Sequence, residues 1–320
     1  MTSESNIKKS IDLYNDGLIC AKKNDFKSAE ELYLKAIELN SEFFQAHYNL
    51  GNIKKNSGKL NEAINYFQKS IEIKSDFING YYNLGNTLKM IGELDGAEKN
   101  YNKALELNPN LDEVKENLKM IIYQKKIALF LRQRKKEKLN IDFKKKFSKI
   151  PFITYRSPSK DLIDLLYKIN LTDLNKVKGG PLYGNGKTSD FQVFDNDNPI
   201  LNEVKSDIIK IIKDETKANV FIIDSFFNIL GAGGGSAPHH HLNSIDKNFK
   251  LDQQKYSLTY YLDVGDQKCS EPGYFVMEDP EEKVLPTNGM IMVIPASRKH
   301  SAVYSGKSDR LMIGVNFYCY

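Results

Sequence analysis

Cysteine is scarce: Cys20, Cys269 and Cys319 are the three in 320 residues, with no CxxC or CxxxC pair among them. An odd, scattered set argues against a disulfide framework and a cysteine-built zinc site, and it fits a reducing, cytoplasmic setting. Long apolar runs are missing as well. No stretch approaches the roughly 20 residues of a membrane helix. Met1 to Asp12 (MTSESNIKKSID) is polar and lacks the apolar core of a signal peptide. Proline is almost absent early on, since nine of the ten lie beyond residue 150. Transmembrane, secreted and zinc-finger classes are excluded on these grounds, and the length predicts two domains.

What is present begins with an uneven charge. The net charge is +5, yet Lys125 to Lys149 holds eleven Lys or Arg against two acids, so the remainder is mildly acidic. No aromatic interleaving or nucleic-acid motif accompanies the basic run. It reads as a solvated helix and linker rather than a nucleic-acid or membrane contact.

The first third repeats itself. Gly17, Gly51 and Gly85 are 34 residues apart, as are Ala29, Ala63 and Ala97, and as are Tyr33, Phe67 and Tyr101. Ala36, Ser70 and Ala104 keep the same step with a small residue. Each copy predicts two helices, for example Phe44 to Asn56 and Leu60 to Ile73. Small residues let the helices approach closely while the aromatic fills the groove beside them. One pair cannot bury its apolar face, so copies stack into a superhelix with a concave surface. YNLGN at Tyr48–Asn52 and Tyr82–Asn86, and LELNP at Leu105–Pro109, resemble the tetratricopeptide repeat. The resemblance covers about residues 10 to 111 and implies a groove for a protein or peptide partner, lined by Asn49, Asn83 and nearby Lys and Tyr. Asp112 to Lys138 reads as a helix that caps the last repeat.

Beyond residue 150 the 34-residue period stops and apolar runs become short. Strands are predicted at Val220–Leu230, Tyr256–Leu262, Tyr274–Met277, Met290–Ile294 and Leu311–Tyr318, divided by Gly, Pro and Asn turns. Helices are predicted at Lys160–Asn170 and Pro199–Glu215. Gly184-Asn185-Gly186-Lys187-Thr188 looks like a phosphate loop, but Pro181 stands where that motif needs its first glycine, and nucleotide binding is set aside. The expected organisation is three repeats (about 10–43, 44–77 and 78–111) within 1–111, a capping helix and basic linker over 112–149, and a mostly-β domain over 150–320.

Four of the five histidines are in this half: His239, His240, His241 and His300. On a strand, His239 and His241 point together while His240 points away. Spacing alone fits either a surface cluster with one satisfied histidine or a three-histidine metal set with open coordination positions. Arg310 opens a later apolar strand, and Ser257, Thr259 and Tyr261 form a polar row on another. In this order the residues resemble Fe(II)/2-oxoglutarate-dependent oxygenases of the prolyl-hydroxylase type. That resemblance implies a double-stranded β-helix (jelly roll) with flanking helices. It implies His239 and His300 as iron ligands, Arg310 as the clamp on the far carboxylate of 2-oxoglutarate, Tyr261 as its hydrogen-bonding partner and Asn228 lining the pocket. Ascorbate is the accessory reductant that goes with such chemistry.

The family's His-x-Asp/Glu pair is replaced here by His-x-His, with His241 at the carboxylate position. HHHLNS is similar to the H-x-H-P-x-S pattern of a bacterial and phage-associated branch, with Leu242 in place of proline. Asp246, in the loop from Ile245 to Lys255, is the alternative carboxylate. Two further readings compete with the oxygenase. One is a non-catalytic repeat scaffold with a degenerate metal-binding barrel, and the other is a cupin-like three-histidine dioxygenase that needs no 2-oxoglutarate. The second has no use for Arg310 and Tyr261.

Overall fold

The structure is a computed structural model that describes residues 3–136, 151–169, 171–174, 181–189 and 192–320. It divides into two compact units, Met1–Lys126 and Ile127–Tyr320. Most of the basic linker, residues 137–149, lies outside the described residues. Among the described residues no helix is long and apolar enough to cross a membrane.

The first unit is a run of helices: α1 (Ser3–Lys22), α2 (Phe26–Leu39), α3 (Phe44–Asn56), α4 (Leu60–Ile73), α5 (Ile78–Met90), α6 (Leu94–Leu107) and the first part of α7 (Asp112–Lys136). The 34-residue period has a direct steric cause. A Cβ added at Gly17, Gly51 or Gly85 would lie 2.6, 2.6 and 2.7 Å from the rings of Tyr33, Phe67 and Tyr101. Each glycine is therefore the seat of the aromatic on the partner helix, and Ala29, Ala63 and Ala97 are fully buried around it. The turns repeat too: Asn24, Gly58 and Gly92 all have positive φ (60, 77 and 84°). Gly and Asn tolerate that region best.

Polar rungs then set the stacking. Asn49 Nδ2 donates to Tyr14 Oη (3.1 Å) and Asn83 Nδ2 to Tyr48 Oη (2.9 Å), while Lys55 Nζ donates to Asn83 Oδ1 (2.7 Å). The expectation that Asn83 lines a docking groove needs correction. Its amide is nearly buried and spent between adjacent helix pairs. At the start of α7, Val114 and Ile121 share a buried cluster with Tyr101. Further along, Phe130 stacks on Tyr318 within the second unit (5.0 Å, 13°), and Leu129 is exposed.

The second unit carries β1 (Phe152–Tyr155), α8 (Lys160–Lys168), β2 (Thr172–Asp173), β3 (Leu182–Tyr183), β4 (Gly186–Thr188), α9 (Pro199–Thr216), β5 (Val220–Leu230), β6 (Gly234–His239), α10 (Ser244–Asn248), β7 (Lys255–Asp263), β8 (Pro272–Met277), β9 (Glu282–Val284), β10 (Met290–Pro295), β11 (His300–Tyr304) and β12 (Arg310–Cys319). Two antiparallel sheets form, ordered β1-β10-β7-β12-β5-β4-β2 and β3-β6-β11-β8-β9. Strand alternation sorts the large sheet's side chains. Leu258, Tyr260, Ile291, Val293, Ile313 and Val315 face the helices α8 and α9. Tyr261, Met290, Met292 and Ile294 face Phe275 and Met277 of the smaller sheet. The phosphate-loop lookalike is strand β4, paired to β5.

The glycine–aromatic seat predicts the cost of filling it. Gly51→Val should destabilise the first unit by about 1–3 kcal/mol through overpacking against Phe67. Urea unfolding followed by helical circular dichroism checks it; an unchanged midpoint would contradict the steric account.

Candidate metal centre

Two strands of the smaller sheet bring the first pair of histidines together. His300, the first residue of β11, is the antiparallel partner of His239, the last residue of β6. Their rings lie 4.4 Å apart between centroids. His241 lies just past the end of β6, and its Nε2 is 3.3 Å from His300 Nε2. One ring nitrogen from each of His239, His241 and His300 falls within 4.8 Å of the others. Two donors on one ion at ~2.1 Å bonds are at most about 4.2 Å apart, so the set closes on an ion with shifts of about half an ångström. His240 points away and is exposed, as alternation expects.

The ring orientations are fixed from behind. His239 Nδ1 lies 2.9 Å from Ala237 O, and His300 Nδ1 lies 3.2 Å from Arg298 O. A carbonyl can only accept, so each Nδ1 carries the proton and each Nε2 keeps its lone pair, the tautomer a metal requires. Phe275 stacks on His300 (4.9 Å, 17°). Burial pushes all three histidines down, His241 well below the usual range and His300 to about 4. The neighbouring imidazoles add to this, since converging cations repel. At neutral pH the cluster is a set of neutral donors, chemically suited to a divalent transition metal.

The other expected residues fall on the same inner space with different degrees of engagement. Arg310 is fully buried; its Nη1 and Nη2 donate to the carbonyls of Gly273 and Pro272 (2.5 Å each) and its Nε to Val264 O (3.2 Å). Its guanidinium lies over Tyr304 at 4.7 Å and over Tyr261 at 5.9 Å. No carboxylate among the described residues lies within salt-bridge distance of it. The Tyr261 hydroxyl has no hydrogen-bond partner among the described residues, and burial raises its pKa. Asn228 Oδ1 is buried without a partner among the described residues, on the strand position opposite Met312.

Asp246 is not in the cluster. Its carboxylate accepts from Tyr318 Oη (2.5 Å), from Lys255 Nζ (2.9 Å) and from the Asn243 backbone N–H (2.8 Å). The segment expected as an open loop begins with the short helix α10, and Asp246 closes its capping box. Sequence reasoning missed Lys255, whose signal was a charged residue opening strand β7. A separate cavity of about 870 Å³, bordered by Tyr167, Lys187 and Asp309, contains none of the histidines.

Comparisons with known proteins bear on the first unit. A tetratricopeptide-repeat family model matches residues 78–111, and a second repeat model matches 17–58 and 51–92. Residues 17–111 are tetratricopeptide repeats. Among solved structures, the first repeat domain of Spaghetti bound to an HSP90 peptide is 21% identical, with 36% of this chain and 91% of that one covered and a TM-score of 0.35. YrrB, described as a repeat protein with an unusual peptide-binding site, is 26% identical over 38% of this chain and 63% of its own, at 0.36. The N-terminal domain of stress-induced protein-1 from C. elegans is 20% identical over 36% of this chain and 96% of its own, at 0.34. No curated protein matches the chain.

The depressed histidines predict an acid sensitivity of the metal-free protein. His300 has a folded pKa of about 4 against an ordinary histidine value of 6.5, so between those values the unfolded chain binds more protons. Stability is then fully present above pH 6.5 and is lost as pH falls towards 4, by an amount of the order of 3 kcal/mol for this residue. Urea midpoints at pH 7 and 4.5 should converge in His300→Gln relative to wild type. An equal acid loss in both would remove His300 as the source.

Proposed function

We propose that this chain is an Fe(II)- and 2-oxoglutarate-dependent oxygenase that hydroxylates a protein or peptide side chain, with its second unit a double-stranded β-helix. One observation carries the reading. Three imidazoles with two rings locked by backbone carbonyls converge in a unit that also buries a guanidinium lacking any anion among its described neighbours. Two antiparallel sheets sharing an apolar interior of Met290, Met292, Ile294, Phe275 and Met277 support the fold assignment.

In this reading His239, His241 and His300 hold the iron. Bound Fe(II), with 2-oxoglutarate and O2, supplies the oxidising power to hydroxylate an unactivated C–H bond. Arg310 pairs bidentately with the far carboxylate, a task for which a planar guanidinium is suited. To do so it exchanges carbonyl partners for the carboxylate, and that anion relieves a buried cation which otherwise rests on dipoles alone. The Tyr261 O–H, unpartnered beside it, donates to the same carboxylate. Asn228 offers an amide with an unmet hydrogen bond, and the methionines around Tyr261 keep the space dry. His239 and His241, partly exposed, form the side that a substrate reaches, while His300 is buried behind them.

The repeats dock the partner in this scheme. Lys55 and Lys89 stand one repeat apart, and each donates to an asparagine, Asn83 (2.7 Å) and Asn117 (2.6 Å). Neither has a carboxylate partner among the described residues, unlike Lys54, which holds Glu30 and Glu62. An acidic segment is the partner this spacing fits.

A scaffold without turnover is the second reading. The observation favouring it is that the guanidinium nitrogens of Arg310 already donate to three backbone carbonyls. Anaerobic difference spectroscopy with Fe(II) and 2-oxoglutarate separates the two. The oxygenase should give the charge-transfer band of the chelated cosubstrate. Arg310→Ala should weaken 2-oxoglutarate binding about 10- to 100-fold, the range for losing hydrogen bonds to a charged group, with iron binding retained. Stoichiometric iron without the band would overturn the cosubstrate assignment, and no iron would favour the scaffold.

A further inference from the structure

His241 differs from the other two histidines in how its main chain is held. His239 and His300 sit in a strand ladder, and each also donates from Nδ1 to a local carbonyl. His241 lies beyond β6, where no ladder reaches it. Its N–H donates to Ala296 O (2.9 Å), at the end of β10. Its carbonyl is gripped by a side chain instead: Lys255 Nζ donates to His241 O at 2.6 Å. That ammonium is buried, with 2% of its side chain exposed, and its counterion Asp246 is fully buried at 2.9 Å. Asp246 is held in turn by Tyr318 Oη and by the Asn243 N–H, and Tyr318 is stacked against Phe130.

We propose that Lys255 is a positioning residue for the third imidazole of the metal centre, with Asp246 acting on the metal at second hand, as the counterion that holds Lys255 aimed at His241. This rests on the three-histidine reading above and deepens it. The physical case is one of redundancy. Breaking a buried pair by removing one partner strands the other charge, and a stable loop needs neither ion. The ammonium's reach to the His241 carbonyl, within the same hydrogen-bonded ring as Asn243 and Asp246, ties the ion pair to the one donor that has no ladder of its own. Outer partners that orient metal ligands carry a large share of affinity, typically 10- to 100-fold. It also accounts for a carboxylate so near the site that ligates nothing: Asp246 is spent on Lys255.

The test uses the full-length, metal-free chain and Co(II), whose visible d–d absorption reports the donor set. Wild type should bind one Co(II). Lys255→Met is expected to weaken binding about 10- to 100-fold and to move the absorption towards that of His241→Ala. The double variant Lys255→Met/Asp246→Asn removes the ion pair without leaving a stranded charge. It should keep the wild-type circular dichroism and still show the weakened, shifted spectrum. Lys255→Arg, which keeps a cationic donor, should recover part of the affinity. Wild-type affinity and spectrum in the folded double variant would overturn the positioning role while leaving the three-histidine centre standing. A wild-type chain that binds no Co(II) would overturn both together.

Discussion

The pairing of His239 with His300 across the β6–β11 ladder is the constraint on which the second unit's chemistry depends. Antiparallel register sets the two residues opposite each other, and the hydrogen bonds of their Nδ1 atoms hold the rings 4.4 Å apart. The glycine stretch before His239 exists to permit that pairing. A Cβ at Gly235 would be 2.5 Å from Ala302 O, and one at Gly234 would be 2.3 Å from Asn185 O. β6 pairs with both β3 and β11, and at Gly234 and Gly235 the neighbouring backbone leaves no room for a side chain. A bulge between His300 and Ala302 then takes up the extra residue on the β6 side, and bulges commonly re-aim side chains beside sites.

Charge organises what surrounds the pair. Three neutral imidazoles bring no negative charge to a divalent ion, whereas a carboxylate ligand would bring one. Nearby the fold buries two cations and treats them differently. Lys255 is neutralised by Asp246 at 2.9 Å, with both groups almost wholly buried. Arg310 has backbone dipoles and two aromatic faces, and no anion among the described residues. Among the described residues, the buried positive charge without an anion is thus at Arg310.

The repeat array was legible because its cause is local and periodic. The glycine and its aromatic recur with the same step, and so does the left-handed turn residue at Asn24, Gly58 and Gly92. Strands β5, β7, β10 and β12 were legible from apolar runs between turns. β6 was not, because glycine, proline and histidine carry no apolar alternation, and the pairs of residues in β2 and β3 are too short to show any. The fate of Asp246 was equally hidden. Its partners are nine and 72 residues away, and no spacing rule links an aspartate to a lysine and a tyrosine on separate strands. Asn83 misled for the opposite reason: its recurrence marks a rung between helix pairs as readily as a docking group.

The oxygenase and scaffold readings make different demands on the same atoms. A barrel that had only to fold gains nothing from an unpaired buried guanidinium, since an apolar side chain of similar volume at position 310 is often neutral or stabilising. Nor does it gain from an amide oxygen at Asn228 that is buried without a partner among the described residues, which costs a desolvated polar group. Asn228, Tyr261 and Arg310 are separate in sequence and come from three different strands, β5, β7 and β12, yet they share the inner face of one sheet. Under the oxygenase proposal a bound anion would accept from Arg310 and the Tyr261 hydroxyl, whereas Asn228 Oδ1, an acceptor, would need a donor. Under that proposal the buried guanidinium, more than the histidines themselves, is what would distinguish a cosubstrate pocket from a metal site kept for stability.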